Sequence, residues 1–476
     1  MNYKTVFNTL GRVILLEAVL LLLPAGVALI YGERCVGAIL ISAAAAAVTG
    51  AALTFLLKPE KKNLSLRDGF AIVSLSWIGI SLFGALPFVI SGEIPNFADA
   101  FFETVSGFTT TGASILTDVE KMSHGLLFWR SFTHWLGGMG VLVFVMAIMD
   151  RAPDSSINIL RAEMPGHSVD KLTPKLKNTA KVLYYIYLVM TVLEFVLLLI
   201  GGMPLFDSAV HALGTAGTGG FGIKADSVAS YSPYLQWVIT IFMLLFGVSF
   251  NVYYLMLLRR WKSAFSSNEL WCYLGIFIAA SAVITANIYP IYHSLRDAIR
   301  LSAFQVSSII TTTGFATADF DQWPQLSKAI IFMLMFFGGC MGSTAGGFKI
   351  SRVTALFQIG RNELRRSLNP RRVSSVRLNG RALSAQEQQG ILSYLALYLG
   401  VLIAVFLLIS FEPMGMETNL ASAVSCVNNI GPGAGATGPA GSYAAYTAFS
   451  KIVLSFAMLM GRLEIYPLLA LAVPRR

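Results

Sequence analysis

Ten stretches of this chain are apolar for about 20 residues or more, the length that crosses a hydrocarbon core. They fall at about 12–30, 36–57, 69–91, 126–149, 179–201, 235–258, 270–290, 327–348, 389–411 and 444–472. The first, with Lys4 and Arg12 near it and alanines at 43–47 beyond, has the outline of a cleavable signal. A second apolar stretch follows at once, so an uncleaved membrane helix is expected. After the third, fifth, seventh and ninth stretches comes a moderately apolar segment too short to cross, then a cluster of glycines and threonines. Such segments predict re-entrant helices that enter the membrane and return. The first two stretches lack this insert.

Composition strengthens the pattern. Hydrophobic residues make up 55% of 476 and charged residues only 13%, about half the charged share of soluble domains. The expected fold is an all-α integral membrane protein. The net charge of +10 sets orientation rather than nucleic-acid affinity. With both termini placed in the cytoplasm, inner segments hold 26 of the 35 Lys and Arg, outer segments hold 8, and Arg462 lies within a span. Acidic residues run the other way, so the inside carries about +17 and the outside about −5. This is the positive-inside distribution. The four cysteines and five histidines are dispersed, with no metal or disulfide spacing, and no enzyme or bound cofactor is expected.

The four inserts repeat. Each carries about a dozen small or apolar residues, then a glycine (Gly112, Gly220, Gly314, Gly433), then an apolar residue. The intervals are 108, 94 and 119 residues, and two positions earlier stand Thr110, Thr218, Thr312 and Gly431. Helix–pore loop–helix repetition predicts four loops meeting around one pore, with two extra N-terminal helices outside it. Divided this way, the chain has a two-helix domain at 1–62 and repeats at 63–150, 151–262, 263–381 and 382–476. Converging backbone carbonyls replace the water of an alkali ion, and glycine supplies the positive φ that such loops need. The candidate filter comprises Thr110, Thr111, Gly112 and Ala113; Thr218, Gly219, Gly220 and Phe221; Thr312, Thr313, Gly314 and Phe315; and Gly431, Pro432, Gly433 and Ala434. Asp99 and Asp207 are placed to cap the first two short helices.

The segments TVSGFTTTGA, TAGTGGFG, SSIITTTGFAT and CVNNIGPGAG resemble the four filters of the bacterial TrkH potassium-uptake family, and the likeness covers nearly the whole chain. The two leading spans resemble the domain that separates TrkH from the shorter KtrB relatives. The resemblance implies potassium as the ion in the pore, a homodimer in the bacterial inner membrane, and a cytoplasmic nucleotide-binding regulatory subunit similar to TrkA. Some plant relatives that pass sodium have serine at the first filter glycine. Gly112 therefore favours potassium.

Span eight ends in Gly338, Gly339, Gly342, Gly346 and Gly347, followed by Lys349. Close helix packing is one use for such residues; the other is a flexible loop, which the resemblance makes a gate below the filter. An arginine at mid-bilayer costs about 2.5–3.5 kcal/mol, so Arg462 is expected to face a cavity or partner. Its neighbour Glu464 is too near along the helix to pair with it. In the family the matching arginine is a second barrier. Glu17 and Glu194 read as neutral or hydrogen-bonded packing residues. The basic run 349–381 serves anionic lipid, a docked cytoplasmic protein, or both. A secondary transporter coupling a solute to sodium or protons is the alternative, though such proteins usually use two inverted halves.

Overall fold

The computed structural model describes residues 2–57, 65–140, 176–369 and 375–472, with side chains from 181 in the third segment. The end of the fourth span, the basic stretch 151–175, most of the 58–67 turn and the last four residues lie outside the described residues.

Two apolar helices, α1 (Tyr3–Leu20) and α2 (Leu22–Ile30), run together as one long span, and α3 (Cys35–Leu56) returns beside it. They cross where both have glycine. A methyl group added at Gly11 would lie 2.8 Å from the carbonyl oxygen of Gly50, and one added at Gly50 an equal distance from that of Gly11. Small residues permit this close approach in a membrane, where packing rather than hydrophobicity drives association.

The four repeats then follow. Their first helices are α4 (Leu66–Ser91), α7 (Leu176–Ile200), α11 (Asn268–Tyr292) and α15 (Ala385–Ile409). Each is followed by a short helix: α5 (Phe97–Phe108), α8 (Leu205–Gly217), α12 (Leu295–Ile310) and α16 (Met416–Asn428). At 12 to 16 residues, these are about 18–24 Å long, so they enter the membrane without crossing it. Their buried flanks contrast with α3, where Ile41 and Val48 are exposed, and with the first helices of the repeats, where Leu193, Ile278 and Leu407 are exposed. An apolar exposed surface of this kind suits lipid.

Among the described residues, three of the second helices are interrupted, that of the third repeat at the glycines of span eight, as its sequence suggested. In the first repeat α6 (His124–Gly138) ends at the limit of the described residues. The second repeat bends by 87° between α9 (Pro233–Phe246) and α10 (Phe250–Leu257). In the third, α13 (Gln325–Leu334) stops after 10 residues and resumes as α14 (Ile350–Leu368). In the fourth, α17 (Ala448–Arg462) breaks before α18 (Tyr466–Ala472). Six described helices are long and apolar enough to cross, or seven counting the bent pair; the fourth of the ten apolar stretches continues outside the described residues. Hydropathy registers an apolar run but not the glycines that interrupt its hydrogen bonding.

The N-terminal hairpin is tied to repeat one by Glu33. Its carboxylate accepts from His124 N at 2.7 Å and Gly125 N at 2.9 Å, and the His124 ring stacks on Tyr31 at 4.0 Å. Burial raises the Glu33 pKa, but those amides and the His124 ring outweigh it and hold it below the ordinary value. A depressed carboxylate contributes stability that is present above its unfolded pKa and lost as pH falls through the folded one. Glu33→Gln should therefore lower stability by about 1 kcal/mol at neutral pH. Thermal melts in detergent should show the two proteins converging on acidification below the ordinary glutamate value.

Candidate functional site

The four short helices end alike. Thr110, Thr218, Thr312 and Asn429 all have left-handed φ, between 54° and 55°. The amides that follow reach back five residues: Thr111 to Ser106, Gly219 to Gly214, Thr313 to Ser308 and Ile430 to Ser425, at 2.8–3.0 Å. This is the helix-terminating motif that usually has glycine at the left-handed position. A β-branched threonine there is a backbone outlier, and three of four copies use one. Strain of this kind persists only where the surroundings over-determine it.

Two residues on, glycine takes positive φ again: 78° at Gly112, 75° at Gly220, 89° at Gly314 and 104° at Gly431. Each faces the next loop. A methyl added to Gly112 would strike the carbonyl oxygen of Gly219, one on Gly220 that of Thr313, and one on Gly314 that of Ile430. One on Gly431 would lie 2.6 Å from that of Thr111. Loop one thus touches two, two touches three, three touches four, and four returns to one. Four segments in such a cycle enclose a single axis. Side chains reinforce the closure: Asn429 Nδ2 donates to Thr111 Oγ1 at 2.9 Å and to Met458 O at 2.8 Å. Short helices aimed at the axis bring their partly negative ends to it, which suits a cation.

The fourth copy is shifted by two residues from the sequence-based alignment. Asn429 and Gly431, not Gly431 and Gly433, stand where Thr110 and Gly112 stand in the first. Gly433 has no positive φ; its amide donates to Thr437 O at 2.7 Å. The signal was present, because asparagine is among the few side chains that tolerate the left-handed region. Asp99 and Asp207 also differ from expectation. Asn96 caps α5 and Pro204 precedes α8; Asp99 binds Lys451 at 2.7 Å and Asp207 accepts from the Tyr231 hydroxyl at 2.6 Å.

Between α13 and α14 the chain forms a loop directly beneath this ring. Gly346 N donates to Thr312 Oγ1 at 2.6 Å, so the loop touches the third segment of the ring. Gly338 N donates to Phe348 O at 2.9 Å, closing its base, and Gly342 and Gly347 have positive φ. The bend between α9 and α10 holds the far side: Cys340 N donates to Gly247 O, and Gly342 O accepts from Phe250 N. Gly339 packs there too, since a methyl on it would lie 2.9 Å from Gly247 O. Lys349 Nζ donates to Ala345 O, within the loop. Arg462 ends α17 and donates to three main-chain carbonyls, at 2.8 Å to Thr344 O and 2.6 Å to Gly137 O and Gly138 O. Glu464 binds Arg352 instead. Glu464 and Ile465 have φ of 53° and 68°, which breaks the helix just after the arginine.

The family model for TrkH, described as a cation transport protein, matches residues 37–272 and 283–475. This chain belongs to the TrkH family. The Trk system potassium uptake protein TrkH of Salmonella typhimurium is 35% identical over 100% of the chain and 99% of its own length. TrkG of Escherichia coli is 33% identical over 99% of the chain and 98% of its own. The crystal structure of the potassium transporter TrkH from Vibrio parahaemolyticus superposes with a TM-score of 0.90 at 30% identity, covering 100% of this chain and 99% of that one.

In this chain two residues that composition passed over support the ring from behind. Arg130, counted by sequence as an external charge, is 3% exposed and paired with Glu103, itself 1% exposed, at 2.7 Å. Glu103 also accepts from Ile115 N and the Ser114 hydroxyl at 2.9 Å. Arg130 reaches Gly222 O at 3.3 Å and lies 4.0 Å over the Phe221 ring. The pair therefore holds the flanks of loops one and two. Beside it, His134 Nδ1 lies 2.7 Å from Gly107 O, and its Nε2 accepts from Phe221 N at 3.3 Å. Those contacts require the Nδ1–H tautomer of a neutral ring. Glu17 and Glu194 are buried as expected of packing residues.

Proposed function

We propose that this chain takes up potassium across the bacterial cytoplasmic membrane through a channel-like pore. The cycle of four loops is the observation that carries the reading, because it gathers backbone carbonyls around one axis at the ends of four short helices. The names of the relatives, potassium uptake proteins over the full length, support the choice of ion. Ions gather at the outer mouth and dehydrate among the carbonyls of residues 110–113, 218–221, 312–315 and 429–432. They then pass the loop at 338–347 and Arg462, which together form the gate. Both termini lie in the cytoplasm on the positive-inside distribution. Two chains assemble, and a TrkA-like nucleotide-binding subunit acts on the inner face. The repeat boundaries proposed from sequence place one short helix in each unit.

Purified protein in vesicles loaded with potassium should take up rubidium tracer down an imposed electrical gradient. External potassium should compete at least about tenfold better than sodium, a selectivity worth roughly 1.4 kcal/mol. Equal competition by the two ions, or tracer entry only with an added organic solute, defeats the reading in favour of a solute transporter.

A further inference from the structure

Arg462 does more than present a charge to the pathway. Its donors point at three main-chain carbonyls from two parts of the chain: Gly137 and Gly138 at the end of α6, and Thr344 in the loop, at 2.6–2.8 Å. Carbonyls in the last turn of a helix carry the negative end of its dipole. Gly137 O also receives Gly140 N at 3.0 Å, which leaves its second lone pair for the guanidinium. Resting on the potassium reading above, we infer that these three oxygens form an inner site for a potassium-sized monovalent cation. The guanidinium of Arg462 holds that site as a tethered substitute while the pore is shut.

The ligand chemistry selects the class. All three donors are neutral carbonyls, whereas calcium sites are built with carboxylates at about 2.3–2.6 Å and magnesium demands shorter distances still. The adjoining cavity, lined in part by Trp77, Met341, Lys349 and Glu464, leaves room for water to complete a shell. Charge is compatible with exchange. Lys349 is bound to Ala345 O, Arg352 to Glu464, and Glu269 to the amides of Met341 and Ser351. Among the described residues, two basic and two acidic groups remain around the site when Arg462 withdraws, so these four give an entering cation no surplus of positive charge. On this account Arg462 blocks by competition as well as by repulsion: the ion and the side chain contend for the same oxygens.

Thallium(I), a heavy monovalent cation, can be located by its anomalous signal in the full chain and in Arg462→Ala. The wild-type protein should show thallium in the filter alone. Arg462→Ala should show the filter peaks and a further peak among Gly137 O, Gly138 O and Thr344 O. Filter peaks without the inner peak in the variant overturn this inference and leave the potassium reading standing. No filter peak in either protein overturns both. A second measurement guards against a variant that folds poorly, using Arg462→Gln alongside Arg462→Ala. Free guanidinium ion should block rubidium flux through either variant at a concentration at least about tenfold lower than any effect on wild type. Equal sensitivity of variants and wild type counts against the shared site.

Discussion

Gly431→Ala should abolish selective rubidium uptake, whereas Gly433→Ala, two residues on, should retain most of it. At Gly431 the backbone has φ of 104°, and an added methyl group would meet the Thr111 carbonyl at 2.6 Å and the Gly112 carbonyl at 3.2 Å. The backbone conformation alone costs an alanine roughly 1–2 kcal/mol, and the obstruction is main chain, which cannot rotate away. The loop must shift, taking with it one quarter of a ring whose geometry sets ion preference. A change of about 1.4 kcal/mol in relative ion free energy is tenfold in preference, so potassium-over-sodium selectivity should fall at least that far. Gly433 differs on both counts. It has no positive φ, and the nearest atom to an added methyl is the Thr437 hydroxyl at 2.5 Å, a side-chain atom rather than the main chain of a neighbouring loop. Competition of sodium and potassium against rubidium uptake reads the difference. The reverse order of effects would restore the sequence-based alignment of the fourth copy and remove the register on which the cycle of contacts depends.

The second large effect is expected at the buried ion pair. Glu103→Ala leaves Arg130 charged, desolvated and without its carboxylate. Removing one partner of a buried pair typically costs about 3–5 kcal/mol. The loss should appear as a markedly lower melting temperature in detergent and as reduced uptake by the protein that remains folded. The structure adds a more specific consequence. Glu103 holds Ser114 and Ile115, and Arg130 reaches Gly222 and Phe221, so the pair joins two neighbouring filter loops across a repeat boundary. A double change, Glu103→Gln with Arg130→Met, removes both charges and keeps comparable volume. It should recover much of the stability, because replacing both members of a buried pair is often nearly neutral. It should not recover selectivity, since the bridge between loops is still absent. If the double variant regains both, the pair is a stability element only and has no hold on the filter.

The lesson for reading such chains lies in which interactions announce themselves along the sequence. Apolar runs, the excess of basic residues on alternate loops and the fourfold recurrence of short inserts with glycine are local or periodic. They determined an all-α membrane architecture with repeats, the positions of Gly112, Gly220 and Gly314, and the loop around Gly338 to Gly347 with Lys349 and Arg462 as candidates. Arg462 stood out because a lone arginine in an apolar span must have a reason to be there.

Tertiary structure decided the remainder. Whether Gly431 or Gly433 matches the other filter glycines depends on where α16 ends, and that is set by the backbone of Asn429 against Thr111 and Met458. Gly431-Pro432 and Gly433-Ala434, each a glycine followed by an apolar residue, look equivalent on paper. Arg130 and Glu103 are 27 residues apart, on opposite sides of the first filter loop, and look like ordinary external charges until folding buries them together. The three carbonyls that receive Arg462 belong to the main chain, so no side-chain pattern marks them. The bend after α9 and the break after α17 escaped hydropathy for the same reason: backbone direction and partner carbonyls carry no residue-type signature. What the sequence by itself determined was the solvent each segment prefers and the places where φ can turn positive. Which oxygen meets which donor was left to the packing of four repeats around one axis.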